Sequence, residues 1–304
     1  MDKKIIRSPF FYVGDKYKLM PQLKELMPND IEDYIEPFVG GGSSVINSDA
    51  KRYFVNDIDE NVIKLHVELG KYANEPEKLF DLLFDIIRKY ELSCSYAGIT
   101  VPGELKKQYV KTYYSHFNKA SYIRMRDDYN SDQSNMLVLY LLLIYGFNHM
   151  IRFNSSGKFN LPVGNVDFNK NVYTALCSYL AFRKNNDIHF SNTDYHYFLN
   201  GLKFNEKSYV FLDPPYLISM SEYNKLWNQE KERELCAYLD KLNNRGVRFG
   251  ITNLINHKGK FNETFFEWSK KYKVYDIRSN YISFNDNTIK DSSKEVFVTN
   301  YVKG

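Results

Sequence analysis

An α/β sheet interrupted by a long, mostly helical insertion is the fold this sequence predicts, and three observations predict it. A strand-turn-helix-strand pattern opens within Ile31 to Leu69, strand signals then vanish, and short apolar strands resume at Ile188. Strand and helix signals that alternate in this way mark a sheet with crossover helices.

Taken in order, Tyr34-Ile35-Glu36-Pro37-Phe38 reads as a strand and runs into the glycine-rich turn Val39-Gly40-Gly41-Gly42. A second strand, Arg52 to Val55, stops at Asn56-Asp57, and Glu60 to Leu69 has helical spacing. Pro76 to Tyr90 and Asn118 to Met150 read as helices, separated by a polar region around Ser93 to Gly103. Two alternating segments around Ser155-Ser156-Gly157 predict a β-hairpin. Strands follow at Ile188 to Phe190 and Ser208 to Leu212, then a helix over Gln229 to Asn243. Val247 to Thr252, Val274 to Ile277 and Glu295 to Val302 complete the strands. The expected division is a sheet domain of 1–67 and 184–304 around an insertion of 68–183. No repeat or low-complexity linker intervenes.

The net charge of +4 is too small to announce a polyanion partner, but its placement is informative. Between Gly103 and Lys158 stand Lys106, Lys107, Lys111, Lys119, Arg124, Arg126, Arg152 and Lys158, against Glu104, Asp127, Asp128 and Asp132. That segment alone carries the whole excess. Interleaved Tyr109, Tyr113, Tyr114, Tyr122 and Tyr129 suit a polyanion with stacking bases, and equally the codon bias of an AT-rich genome. Cys94, Cys177 and Cys236 have no metal-ligand spacing, which fits a reducing cytoplasm and a metal-free protein. The longest apolar run, Met136 to Phe147, is too short for a membrane span and reads as a buried helix, and the first residues lack a signal-peptide core.

The strongest chemical signal is Asp213-Pro214-Pro215-Tyr216, directly after an apolar strand. That position is the carboxyl edge of the sheet, where open α/β folds hold ligands. An exocyclic amine on a base is a poor nucleophile because its lone pair is delocalised into the ring. The Asp213 carboxylate and the Pro214 carbonyl would accept its hydrogen bonds and draw the nitrogen towards a tetrahedral state. The prolines fix the chain direction and remove competing donors. Tyr216 offers a face for a base, worth ~1–3 kcal/mol.

A second element is Glu36 to Gly42, whose glycines allow close backbone approach to a ligand. It is no dinucleotide fingerprint, since Val45 stands where a third glycine would be. Asp57 at the end of the second strand suits a ribose diol, or alternatively a helix cap.

Together these motifs resemble the Dam-like, alpha-group family of adenine-N6 DNA methyltransferases, in the order cofactor part, target-recognition part, catalytic part. The resemblance covers nearly the whole chain. It implies a Rossmann-like, S-adenosylmethionine-dependent methyltransferase sheet, mixed, with a C-terminal antiparallel hairpin and an inserted helical target-recognition domain. Tyr12-Val13-Gly14-Asp15-Lys16 is similar to the family's aromatic-x-Gly-x-Lys segment, with Tyr for the usual Trp and Asp15 for the usual Gly. By that resemblance Tyr12 and Lys16 contact S-adenosyl-L-methionine, the lysine through the cofactor's carboxylate. Glu36, Phe38, Gly40 and Gly42 would form the cofactor loop, Asp57 would bind the ribose, Asp194 and Tyr195 would flank the adenine, and Asp213 would touch the amino-acid end. Arg152 to Asn160 is similar to the hairpin that family members insert into DNA. It makes Arg152, Asn154, Ser155, Ser156 and Lys158 candidate DNA contacts, with Arg124, Arg126 and Asn148 beside them in sequence.

The implied activity is methyl transfer to N6 of an adenine flipped from double-stranded DNA, leaving S-adenosyl-L-homocysteine. The implied setting is the cytoplasm of a bacterium or a phage-infected cell. A monomer is expected; a cognate restriction endonuclease as partner, a solitary chromosomal role and a phage role all stay open. None of the three cysteines follows a proline, so the nucleophile of ring-carbon cytosine methylation is absent. Methylation of cytosine N4, RNA or a protein glutamine is the nearest rival, and a non-catalytic DNA-binding protein on the same scaffold is the rival from another class.

Overall fold

The computed structural model describes residues 5–219, 227–277 and 293–303. They fall into two compact units, each built from several stretches of chain.

The sheet unit comprises Lys16–Val39, Asn47–Ile58 and Asp187–Gly304. Its strands are β1 (Asp33–Glu36), β2 (Arg52–Asn56), β3 (Asp187–Ser191), β4 (Ser208–Leu212), β5 (Arg248–His257), β6 (Lys260–Phe261), β7 (Lys273–Ile277) and β8 (Ser293–Thr299). Their order is β3-β2-β1-β4-β5-β8-β7, with β6 paired to β5 alone. Strands β1 to β5 are mutually parallel, whereas β8 runs antiparallel to both neighbours. This mixed sheet is the Rossmann-like methyltransferase fold. Every residue of β4 is buried, as expected of a strand covered on both faces. Helices α1 (Met20–Leu26), α8 (Tyr195–Asn200), α9 (Gln229–Asn244) and α10 (Glu263–Ser269) belong to this unit. Leu235, Leu239 and Leu242 of α9 pack with Phe249, Ile251, Phe265 and Val298 in its core. At ~25 cal/mol per Å² of apolar surface, each buried leucine contributes about 2 kcal/mol.

The parallel register decides where chemistry can sit. Ile35 pairs with Val210 and with Phe54, so β1, β2 and β4 end nearly level. Glu36, Asp57 and Asp213 therefore lie on one carboxyl edge.

The helical unit comprises Met1–Asp15, Gly40–Ile46 and Asp59–Asn186. It holds α2 (Glu60–Gly70), α3 (Pro76–Lys89), α4 (Gly103–Gln108), α5 (Tyr113–Ser131), α6 (Met136–Tyr145) and α7 (Lys170–Asn185). The apolar run forms α6, buried from Leu137 through Tyr145. Among the described residues no helix is long and apolar enough to cross a membrane.

One sequence expectation needs correction, and the hairpin is shorter than a strand ladder. The single helix over Asn118 to Met150 is two helices. The polar stretch Asp132–Asn135 breaks it, and the Asn135 side chain accepts hydrogen bonds from the Leu137 and Val138 amides to start α6 anew. The hairpin has a tight turn but no strand ladder, only one bridge between Phe153 and Phe159. Backbone hydrogen bonds from the Asn154 amide to the Lys158 carbonyl and from the Asn160 amide to the Arg152 carbonyl flank that bridge, and side chains reinforce it.

Candidate active site

Asp213 follows β4 at the point where the strand's hydrogen bonding ends. Both its oxygens are engaged: Oδ2 lies 2.7 Å from Lys16 Nζ, and Oδ1 accepts a 2.7 Å hydrogen bond from Thr252 Oγ1. Lys16 is held just before α1, its carbonyl accepting from the Leu19 and Met20 amides. The Lys16 and Asp213 side chains are only 8% and 21% exposed, so the pair is poorly screened by water. Lys16 Nζ also stands 5.0 Å from the centroid of the Tyr216 ring, a cation–π contact. Pro214 and Tyr216 are buried and Pro215 partly so. The Tyr216 hydroxyl donates a 2.7 Å hydrogen bond to Glu295 Oε1 on β8. One lysine thus covers the carboxylate and the aromatic face together.

Side chains tie the strand ends to one another. Buried Asn56, the last residue of β2, donates to the carbonyls of Pro37 (3.0 Å) and Thr193 (2.9 Å) and accepts from the Thr193 amide. Asn192 donates to the carbonyls of Asp57 and Ile58. These two asparagines lock the turns after β1, β2 and β3 into one rim. Glu36 is buried at the end of β1. Asp57 is half-buried, and the capping of α2 falls to Asp59, which accepts from the Asn61 amide. Asp194 caps α8 through the His196 amide, so its role is at least partly local. Phe38 stands 5.3 Å from Tyr195 and 5.9 Å from Trp227, centroid to centroid. The buried Tyr195 hydroxyl has no hydrogen-bond partner among the described residues, and burial raises its pKa. Trp227 is fixed by buried Glu232, which also accepts from Asn253 and Asn262; burial raises the Glu232 carboxyl above its usual range.

In the helical unit, the turn from Gly40 to Gly42 packs against Tyr12. A Cβ on Gly41 would meet Tyr12 Cβ at 2.8 Å, and Gly42 has φ +75° with His66 Cε1 3.0 Å from where its Cβ would be. Ser8 Oγ bonds to the Gly41 carbonyl. His66 Nε2 lies 2.9 Å from the Gly40 carbonyl and Nδ1 2.8 Å from the Tyr179 hydroxyl. Arg183 in turn donates to the His66 carbonyl and to the Tyr179 oxygen. Burial drives the His66 pKa down from 6.5 to about 3, so the ring is neutral at ordinary pH. A neutral ring bonded in this way donates from Nε2 to Gly40 and accepts at Nδ1. Sequence reading missed His66, Tyr179 and Arg183 because they are scattered along the chain.

The hairpin candidates divide into two groups. Arg152 donates to the Asn160 side chain and carbonyl, and Asn154 Oδ1 accepts from the Ser156 and Lys158 amides, so both brace the turn. Asn130 of α5 grips the Phe159 backbone at 2.7 and 2.9 Å, and Gln133 donates to the Gly157 carbonyl. Ser155, Ser156 and Lys158 are exposed at the tip. Arg124 joins the Tyr90 carbonyl and Glu91, and Arg126 lies near Asp127. Asn148 is exposed in a left-handed backbone conformation, φ 55°. Of the interleaved tyrosines, Tyr122 and Tyr129 are core residues at 0% and 3% exposure, which removes them from any stacking surface.

The sheet order and the Asp-Pro-Pro-Tyr segment on its carboxyl edge define a Rossmann-like methyltransferase. The chain belongs to the D12 class N6 adenine-specific DNA methyltransferase family, whose profile matches residues 12–282. It is 30% identical to the type II methyltransferase M.FokI of Planomicrobium okeanokoites over 97% of this chain and 43% of the relative. It is 31% identical to the modification methylase StsI of Streptococcus sanguinis over 98% of this chain and again 43% of the relative. The chain thus spans less than half the length of these two relatives. With the DNA adenine methylase of Escherichia coli K12 it shares 26% identity over 92% of this chain and 90% of that one.

Proposed function

We propose that this chain methylates N6 of an adenine flipped out of double-stranded DNA, using S-adenosyl-L-methionine. The observation that carries the reading is the Asp213 carboxylate at the end of β4, oriented by Thr252 on one oxygen and covered by Lys16 on the other.

The donor set suits the cofactor. Lys16 offers a cation for its carboxylate, Asp57 an acceptor for the ribose diol, and Phe38, Tyr195 and Trp227 an aromatic wall whose buried Tyr195 hydroxyl has no partner among the described residues. Glu36 and Asp194 add carboxylates on the same rim. The family resemblance assigns cofactor contacts to Tyr12, Gly40 and Gly42 of the helical unit as well. When bound, S-adenosyl-L-methionine supplies an electrophilic methyl group on a sulfonium and leaves as S-adenosyl-L-homocysteine.

The chain's own residues do the rest. Thr252 holds Oδ1, so Oδ2 is the oxygen that changes partner. As Lys16 turns to a ligand carboxylate, it uncovers Oδ2 and one face of the Tyr216 ring in the same movement. Asp213 and the Pro214 carbonyl then accept hydrogen bonds from the adenine amine, and Tyr216 stacks the base. Unpairing the adenine costs a few kcal/mol, which stacking offsets at ~1–3 kcal/mol. Asp213 thereby polarises and orients the nitrogen.

The segment 68–183 is the proposed target-recognition part. Ser155, Ser156 and Lys158 are its most accessible DNA contacts, and Arg124, Arg126, Asn148, Arg152 and Asn154 support them. We place the protein in the bacterial cytoplasm as a monomer, with a restriction endonuclease for the same site as its partner. Long-read sequencing of DNA from a methylation-free host expressing the chain tests the reading. N6-methyladenine in one short sequence context supports it; modification of cytosine, or none with cofactor bound, overturns it.

A further inference from the structure

Glu295 lies on β8 at 2% exposure, followed by the fully buried apolar residues Val296, Phe297 and Val298. Burying a carboxylate there costs stability, and an apolar side chain of similar volume would pack the site better. Its Oε1 accepts a hydrogen bond from the Tyr216 hydroxyl at 2.7 Å, while Oε2 is buried without a hydrogen-bond partner among the described residues. Its cross-strand neighbour on β5 is Leu254, which clusters with Tyr216 and Ile218. The β5–β8 register shifts immediately after that pair, between Leu254 and Asn256. Such a bulge re-aims side chains beside a site. Tyr216 is therefore held at both ends, by the Asp213-Pro214-Pro215 backbone and by Glu295 through its hydroxyl.

We infer that Glu295 is a positioning residue that fixes the plane of the Tyr216 ring for the incoming base. This rests on the adenine-methylation reading, with Tyr216 as the stacking face. A residue kept for such a task sacrifices stability for geometry.

The test uses the full chain and duplex DNA carrying the adenine located by sequencing, or 2-aminopurine in its place. Wild-type methylation is measured first, so failure of the underlying reading shows there, before any variant is compared. Glu295→Leu and Tyr216→Phe are each expected to lower kcat at least about tenfold, with the double variant no worse than the poorer single one. Cofactor affinity is expected to stay within about threefold, because the ring aims the base and not the cofactor. The flipped 2-aminopurine is expected to fluoresce more strongly in both variants as stacking loosens. Glu295→Gln, which keeps an acceptor oxygen, is expected to restore most of kcat, and Glu295→Leu to melt at or above the wild-type temperature. Wild-type kcat and emission in Tyr216→Phe would overturn the inference, whether or not the leucine variant folds. So would independent, multiplying losses in the double variant, or activity that falls only with the folded fraction.

Discussion

The carboxyl edge of the sheet and the hairpin of the helical unit both carry polar side chains, but they hold them in opposite ways. At the edge, the working groups are buried or half-buried and grip one another: Lys16 on Asp213, Thr252 on Asp213, Glu295 on Tyr216. At the hairpin, the backbone is gripped by Asn130 and Gln133, while the tip side chains reach solvent. Chemistry on a single atom needs groups fixed to a fraction of an ångström, and a low-dielectric rim strengthens each contact. Contact with a long polyanion needs a fixed turn bearing side chains free to adapt. Rigid side chains at one region and a rigid backbone at the other are what the two proposed tasks would each require.

Four substitutions probe that contrast. The largest effect is expected at the edge: Asp213→Ala lowers kcat by at least about a thousandfold, since a preorganised polar group is removed from the reacting nitrogen. DNA affinity in a filter-binding assay stays within about threefold. A large affinity loss would show that the two regions share one task.

Next comes the glycine turn. The unfolded chain protonates His66 below pH 6.5, and the folded protein refuses that proton down to about pH 3. Its stability contribution is complete above pH 6.5 and is lost as pH falls, by ~1.4 kcal/mol per pH unit inside that window. His66→Phe should flatten the difference in a pH series of melting curves and weaken cofactor binding. An unchanged acid slope would show that His66 is not buried neutral.

Asn130→Ala ranks third. It leaves the buried Phe159 backbone groups unsatisfied, at ~1–3 kcal/mol, and should weaken DNA binding about tenfold with kcat at saturating DNA unchanged. Normal binding would mean the turn is held without its clamp. The smallest effect belongs to Lys158→Ala, a few-fold loss of affinity and a salt slope reduced by about one, as for one phosphate contact. An unchanged slope removes Lys158 from the contact surface.

Local pattern accounts for what could be read in advance. Buried β4 followed by Asp213-Pro214-Pro215-Tyr216, the glycine turn after β1 and Asp57 after β2 announce themselves because each couples an apolar run to an abrupt polar stop. Helix boundaries that depend on one cap, as at Asn135, are less legible because a single side chain decides them. The hairpin turn is legible in the pattern, whereas its clamp is not, because Asn130 belongs to α5.

By itself, the sequence determined the strand-turn chemistry, the burial of α6 and the motifs that place the chain in its family. These rest on neighbours in the chain, whose spacing is set by helix and strand periodicity. Only the tertiary structure decided that Lys16 covers Asp213, that His66 props Gly40 and that Glu295 holds Tyr216. Those partners lie far apart along the chain, and burial joins them because a polar group withdrawn from water must find its hydrogen bond in whatever the fold brings near.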